Sequence, residues 1–254
     1  MIDTLQKDLI DHLWEPAQAR RLADVRLGLG YTAVMLDDAG LGVAFTFQED
    51  WDHACKAYND APLKGRTASE ALEFITSDQP LLSAIGLATA NALANRPDPD
   101  LISGDVLEAV EIRKTDRVAM IGYFAPLYKR LRESCGRLLV FERAPRSDPP
   151  PDMYPAQKAL ELIPECQVAL ITATSLINRS LGDLLTAAQN CREVVLLGSS
   201  TPICALPFRN TPITCLSGVI VTDPQGMLQV VSEGGGTRRF KGLVKKVNRR
   251  VGSV

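Results

Sequence analysis

The sequence predicts a mixed α/β protein: a small α+β unit followed by a doubly wound, mainly parallel sheet. Three observations carry that prediction. After residue 116, short runs that are apolar throughout alternate with helical stretches, the pattern of a parallel sheet covered on both faces. Before residue 95 the order is instead a helix, a pair of β-rich runs and two more helices, which suits a small α+β unit. Between them NRPDPDLISGD (95–105) carries two prolines and a glycine and reads as a linker, giving expected domains at 1–100 and 101–254.

Each element has its own signal. Ile2, Leu5, Leu9, Ile10 and Leu13 recur at helical spacing, so residues 2–22 read as an amphipathic helix. VRLGLGYTAVML (25–36) and LGVAFTF (41–47) flank DDAG and read as a hairpin. Residues 48–66 are irregular and polar. Helices follow over 68–75, with Thr67 as N-cap, and over 81–93, preceded by Pro80. A short helix is expected over 106–112. In the second half the expected strands are RVAMIG (117–122), RLLVFE (137–142), QVALITAT (167–174), EVVLLG (193–198) and ITCLSGVIVTD (213–223). Helices are expected between them over 125–136, 156–163 and 180–191, with Ser180 as an N-cap, and over 224–232 after the last strand. This alternation is Rossmann-like.

Composition narrows the class of function. The chain has 254 residues, is 46% hydrophobic and carries a net charge of −2, enough for one large domain or two modest ones with their own cores and without a global basic excess. RRFKGLVKKVNRR (238–250) is locally basic and reads as a solvated amphipathic terminus. The N-terminus lacks the charged and apolar regions of a signal peptide, and no apolar run approaches a membrane span, so a cytoplasmic protein is expected. The six cysteines form no CxxC pair and read as reduced, mostly buried thiols. His12 and His53 are too few and too far apart in sequence to suggest a zinc site. A small molecule is the expected partner, nucleic acid and membrane are not, and homo-oligomerisation is left open.

In an open α/β sheet, ligands bind beyond the carboxyl ends of the strands. The residues there are Gly122 and Tyr123, Glu142 and Arg143, Thr172 and Thr174 with Asn178 soon after, and Gly198, Ser199, Ser200 and Thr201. Glu142 follows Gly122 by 20 positions and has two readings: an acceptor for a ribose diol, or a solvated carboxylate paired with Arg143. IGYFAP has one glycine where a dinucleotide fingerprint has three, and its aromatics would block a pyrophosphate, so a nucleoside- or methyltransferase-like pocket fits better. GSSTP (198–202) lacks the lysine of a Walker loop, has Pro202 where a nucleophile elbow has glycine, and has no histidine downstream. It reads either as hydroxyls and N–H groups offered to an anion or carbonyl, or as a capped turn. In the first half, the glycines of GLGYT (28–32) suggest a close approach within a strand, by a neighbour or by a ligand. Asn91, on an otherwise apolar helix, is a site residue or a satisfied core amide.

Taken together, LGLGYTAVML, LGVAFTF, ATANAL, RVAMIGYFAPL, LLVFERAP, ALITATSLIN, VVLLGSSTP and LSGVIVTDP resemble, in this order, the putative heavy-metal chelation family of bacterial and archaeal proteins. The resemblance spans about 25–235. It implies an enolase N-terminal-like domain, then a Rossmann-like domain, with an active site in the cleft between them. It brings Gly122, Glu142, Arg143, Thr172, Asn178, Gly198, Ser199, Ser200 and Thr201 to one wall, and Asn91, Tyr31 and Thr32 to the other. Ser199 stands where many relatives have proline, which leaves the loop freer.

Three functions are consistent with these residues. The first is a small-molecule enzyme of condensation or hydrolysis in flavin-, pterin- or siderophore-like metabolism linked to heavy-metal handling. There Glu142 anchors a diol or acts as base, Asn91 and Asn178 orient the substrate, and the 198–201 loop binds an anionic or carbonyl group. The second is a non-catalytic binder of a divalent metal or metallophore, for which hard oxygen donors suit better than the scattered thiols. The third is a regulatory subunit. The expected ligand is nucleoside-, S-adenosylmethionine- or pterin-like, or a divalent metal.

Overall fold

The computed structural model describes residues 1–47, 62–144 and 147–252. Most of the polar stretch 48–66, with His53 and Cys55, lies outside them. The helix α1 (Ile2–Gln18) buries Leu5, Leu9, Leu13 and Ala17, one apolar position per turn. An antiparallel sheet follows: β1 (Leu22–Leu27), β2 (Tyr31–Leu36) and β3 (Leu41–Phe45), in that order. The run 25–36 is therefore two strands, not one. A turn at Gly28–Gly30 divides it, closed by the Gly28 N–H on the Tyr31 carbonyl at 2.9 Å. A Cβ on Gly28 would stand 2.2 Å from the Val231 carbonyl oxygen, so the close neighbour is backbone.

Alternation on this sheet has period two. Val34, Leu36 and Ala44 face the layer of α1, α2 (Ala68–Leu72) and α3 (Pro80–Ala94). Ala33, Leu41 and Val43 face the opposite way, onto Met227, Leu228 and Val231 of α7 (Pro224–Ser232). A helix from the far end of the chain thus completes the first sheet. Thr67 caps α2 through a full capping box with Glu70.

The second sheet has eight strands: β4 (Ile102–Ser103), β5 (Arg117–Ile121), β6 (Arg137–Glu142), β7 (Met153–Pro155), β8 (Val168–Thr172), β9 (Glu193–Leu197), β10 (Cys215–Val221) and β11 (Val244–Arg250). Their order is β4-β11-β10-β9-β8-β5-β6-β7. The pairs from β7 through to β10 are parallel; β11 is antiparallel to both of its neighbours. The helices α4 (Ala125–Ser134), α5 (Ala159–Leu162) and α6 (Leu181–Ala187) fall between the strands. From β5 the chain winds outward through β6 to β7, then crosses back to β8, so the topological switch point lies between β5 and β8.

Two expectations are corrected here. The basic terminus is not simply solvated, since Val244–Arg250 form the strand β11. Val247 and Asn248 are buried, and the cations meet acids: Arg250 with Glu193 at 3.0 Å, Lys246 with Asp105 at 3.3 Å, and Arg249 with Asp98. Long stems let charged residues line a sheet while their heads find partners, which hides the alternation in sequence. Ser180 makes no side-chain cap on α6; its hydroxyl donates to Asn178 instead. The second half has an apolar cluster of its own on one face of its sheet, around Val118, Leu131 and Val195, while the other face shares its packing with the first half. One apolar cluster runs from Leu9, Ile85 and Leu87 to Ile121, Phe141, Ile171 and Leu196. Buried Gln6 stitches across it, donating to the carbonyls of Ile75 (3.0 Å) and Leu176 (3.2 Å).

Candidate functional site

At the switch point, β5 runs into Gly122 and β9 into Gly198, with φ of 87° and 118°. Both are conformations that L side chains rarely adopt, so glycine is required there. A Cβ on Gly122 would lie 3.2 Å from Thr172 Cβ, so the backbone turns tightly against the end of β8. The Phe124 ring lies beside both glycines, 3.6 Å and 3.8 Å from the Cβ positions that Gly122 and Gly198 lack. Thr172 and Thr174 share a hydrogen bond at 3.0 Å between their hydroxyls. The crevice is thus floored by two bare backbone turns, a hydroxyl pair and an aromatic ring.

Glu142 is engaged by the backbone of two loops. Its Oε2 accepts the Tyr123 N–H at 2.9 Å, and its Oε1 accepts the N–H groups of Arg143 (2.8 Å) and Ala144 (3.2 Å). The carboxylate ties the loop after β5 to the loop after β6. A carboxylate has about four acceptor positions, so three bonds leave Oε2 room for one further donor. The Arg143 side chain stacks on Phe47, with its guanidinium carbon 6.0 Å from the ring centre.

The loop GSSTP divides between two environments. Gly198 and Ser199 are half-buried at the crevice, whereas Ser200 and Thr201 are 2% and 0% exposed. Ser200 Oγ accepts the Phe45 N–H at 2.9 Å, on the open edge of β3. Burial pushes the Tyr31 phenol up to about 12, and the Ser199 side chain beside it opposes that shift. At this loop the two sheets therefore meet in a packed seam. Thr32 turns away from it, its hydroxyl 3.0 Å from that of buried Thr46.

Asn91 is fully buried and donates to the Val43 carbonyl at 2.8 Å, bracing α3 against β3. Its Oδ1, like Thr201 Oγ1, is buried without a hydrogen-bond partner among the described residues. The amide that crosses the seam is Asn95, one helical turn further on. Its Nδ2 donates to the Thr201 carbonyl (2.9 Å) and the Val219 carbonyl (3.1 Å), and its Oδ1 accepts the Ile203 N–H (2.7 Å). The i, i+4 spacing of NALAN was the available signal, since it puts both amides on one helix face. Asn178 serves a local turn, where its Oδ1 accepts from Ser180 N (3.2 Å) and Oγ (2.7 Å). The crevice thus gathers Gly122, Tyr123, Glu142, Thr172, Thr174, Gly198 and Ser199; Asn178, Thr32 and Ser200 bond elsewhere, and Asn91 and Thr201 are buried in the packing around the seam.

This chain belongs to the family described as putative heavy-metal chelation. One model of that description matches residues 105–250 and a second matches residues 10–94. An uncharacterised protein of Methanocaldococcus jannaschii is 23% identical over 258 residues, which cover 99% of this chain and 98% of that one. Crystal structures of two members of unknown function share the fold at 22% identity. The Pyrococcus horikoshii protein has a TM-score of 0.84, covering 97% of this chain and 100% of that one; the Desulfitobacterium hafniense protein has 0.80, covering 96% and 98%.

A metal centre of three or more side-chain ligands does not fit the donors in view. Among the described residues, no three His, Cys, Asp or Glu side chains converge as a metal-binding group. Burial pushes the thiols of Cys166 and Cys215 to about 11 and those of Cys191 and Cys204 to about 12, so all four hold their protons at neutral pH. No helix among the described residues is long and apolar enough to cross a membrane.

Proposed function

We propose that this protein binds a flat, polar heteroaromatic molecule of the nucleoside, S-adenosylmethionine or pterin class in the crevice above β5, β8 and β9. The observation that carries this reading is the pair of left-handed glycines, Gly122 and Gly198, at the switch point of the sheet. Such turns let a ligand approach the backbone closely, although the glycines' own N–H groups are held by the carbonyls of Phe141 (2.8 Å) and Ser217 (3.0 Å). Phe124 offers a ring for stacking, the Thr172–Thr174 pair offers a hydroxyl proton, and Glu142 Oε2 has room for one more donor. One remaining acceptor position suits a single amino or hydroxyl group better than a diol clamp. Condensation or hydrolysis in flavin-, pterin- or siderophore-like metabolism is the chemistry this site would serve.

A thermal-shift series on the full chain with adenosine, S-adenosylmethionine and a pterin tests this. At a hundredfold excess over Kd, a true ligand raises Tm by about 5 °C or more. The Thr174→Val variant, which keeps the shape and removes one hydroxyl, should show a smaller shift. The absence of a response to all three compounds would sink the reading.

A further inference from the structure

Two cysteines sit together at the end of the sheet opposite the crevice. Cys166 and Cys191 each precede by two residues a member of the paired couple Val168↔Glu193, at the start of neighbouring parallel strands. Such strands run about 4.8 Å apart, so the pairing brings the two cysteines close. Their contacts agree. Cys166 Sγ lies 3.4 Å from the Leu162 carbonyl oxygen, and Cys191 Sγ lies 3.9 Å from that of the next residue, Ile163. The Cys191 thiol also donates to the carbonyl of Cys166 itself at 3.2 Å. Both side chains join the same apolar cluster, Cys166 buried and Cys191 half-buried, so the pair has one sealed member and one open to solvent. Both are free thiols.

We propose that Cys166 and Cys191 form a two-thiol clamp for a soft metal ion that takes two ligands in line. Zinc, which wants about four ligands, is a poor match for two sulfurs backed by apolar side chains. A divalent soft ion bound by two thiolates is a neutral unit, and neutrality removes most of the cost of placing it beside a hydrophobic core. Binding replaces both S–H protons with metal–sulfur bonds and releases the protons to solvent, with no change of oxidation state. A trivalent arsenical would react at the same pair, exchanging its oxo group for two sulfurs and releasing water.

The test is native mass spectrometry of the full chain with an equimolar mercuric ion in millimolar glutathione, a monothiol that strips ions held by a single sulfur. The wild type should retain one ion with loss of two protons, while Cys166→Ser and Cys191→Ser should each lose it. Cys215→Ser, which removes a buried thiol on the opposite face of the sheet, should retain it. Retention by either of the first two variants, or no retention by the wild type, overturns the proposal. Labelling of the wild type by phenylarsine oxide, reversed by a dithiol and not by a monothiol, gives a reading free of any folding defect in the variants. Failure of that labelling also counts against the clamp. The pair is remote from the switch point, so this result and the thermal-shift result stand or fall separately.

Discussion

At residue scale, Glu142 shows how a polar group at a strand end can be consumed by the backbone. Its carboxylate accepts from Tyr123, Arg143 and Ala144, which fixes two loops of the crevice relative to each other. Charge-assisted bonds of this kind contribute more than neutral ones, but here they are partly exposed. Glu142→Ala should therefore lower the stability of the folded chain by about 1–2 kcal/mol in urea denaturation. A variant with unchanged stability would mean that the carboxylate is free for a ligand. Sequence alone identified Glu142 as the residue to watch, from its place after β6. The partners could not be read, because backbone N–H groups leave no mark in a sequence. Asn91 poses the same problem: an amide on an apolar helix announces a polar contact without saying to what.

At the scale of elements, α3 holds the two sheets together. Asn91 grips β3, and Asn95 makes three buried hydrogen bonds, two to the segment after β9 and one to Val219 of β10. Asn95→Ala deletes all three and leaves the Ile203 N–H and two carbonyls to find other partners. The expected cost is about 3 kcal/mol, since buried polar groups left unpaired cost more than an average bond contributes. A thermal melt of the variant checks this; a Tm within a degree or so of wild type would mean that the seam is held by apolar packing alone. The strands β5, β6, β8, β9 and β10 were legible because buried parallel strands are apolar on both faces. The strand β11 was not, because its lysines and arginines find acids on distant segments. The first hairpin was misjudged at GLGYT, where the glycines mark a turn backed by α7.

The whole molecule is more unified than its linker suggests. Its main apolar cluster takes residues from both halves, Gln6 crosses between them, and α7 returns to cover the first sheet. Elements that share one core unfold together. Calorimetry should therefore show a single transition whose calorimetric and van't Hoff enthalpies agree, and two resolved transitions would contradict the shared core. The sequence by itself determined the class of fold, the alternation that builds the parallel sheet, and the strand ends where Gly122, Thr172 and Gly198 would stand. Those features follow from local periodicity and turn chemistry. Only the tertiary structure decided that Ser200 and Thr201 are sealed in a seam while Gly198 and Ser199 face the crevice, that Glu142 braces two loops, and that Cys166 lies beside Cys191. Each of these depends on which distant segment packs alongside, and no local pattern records that.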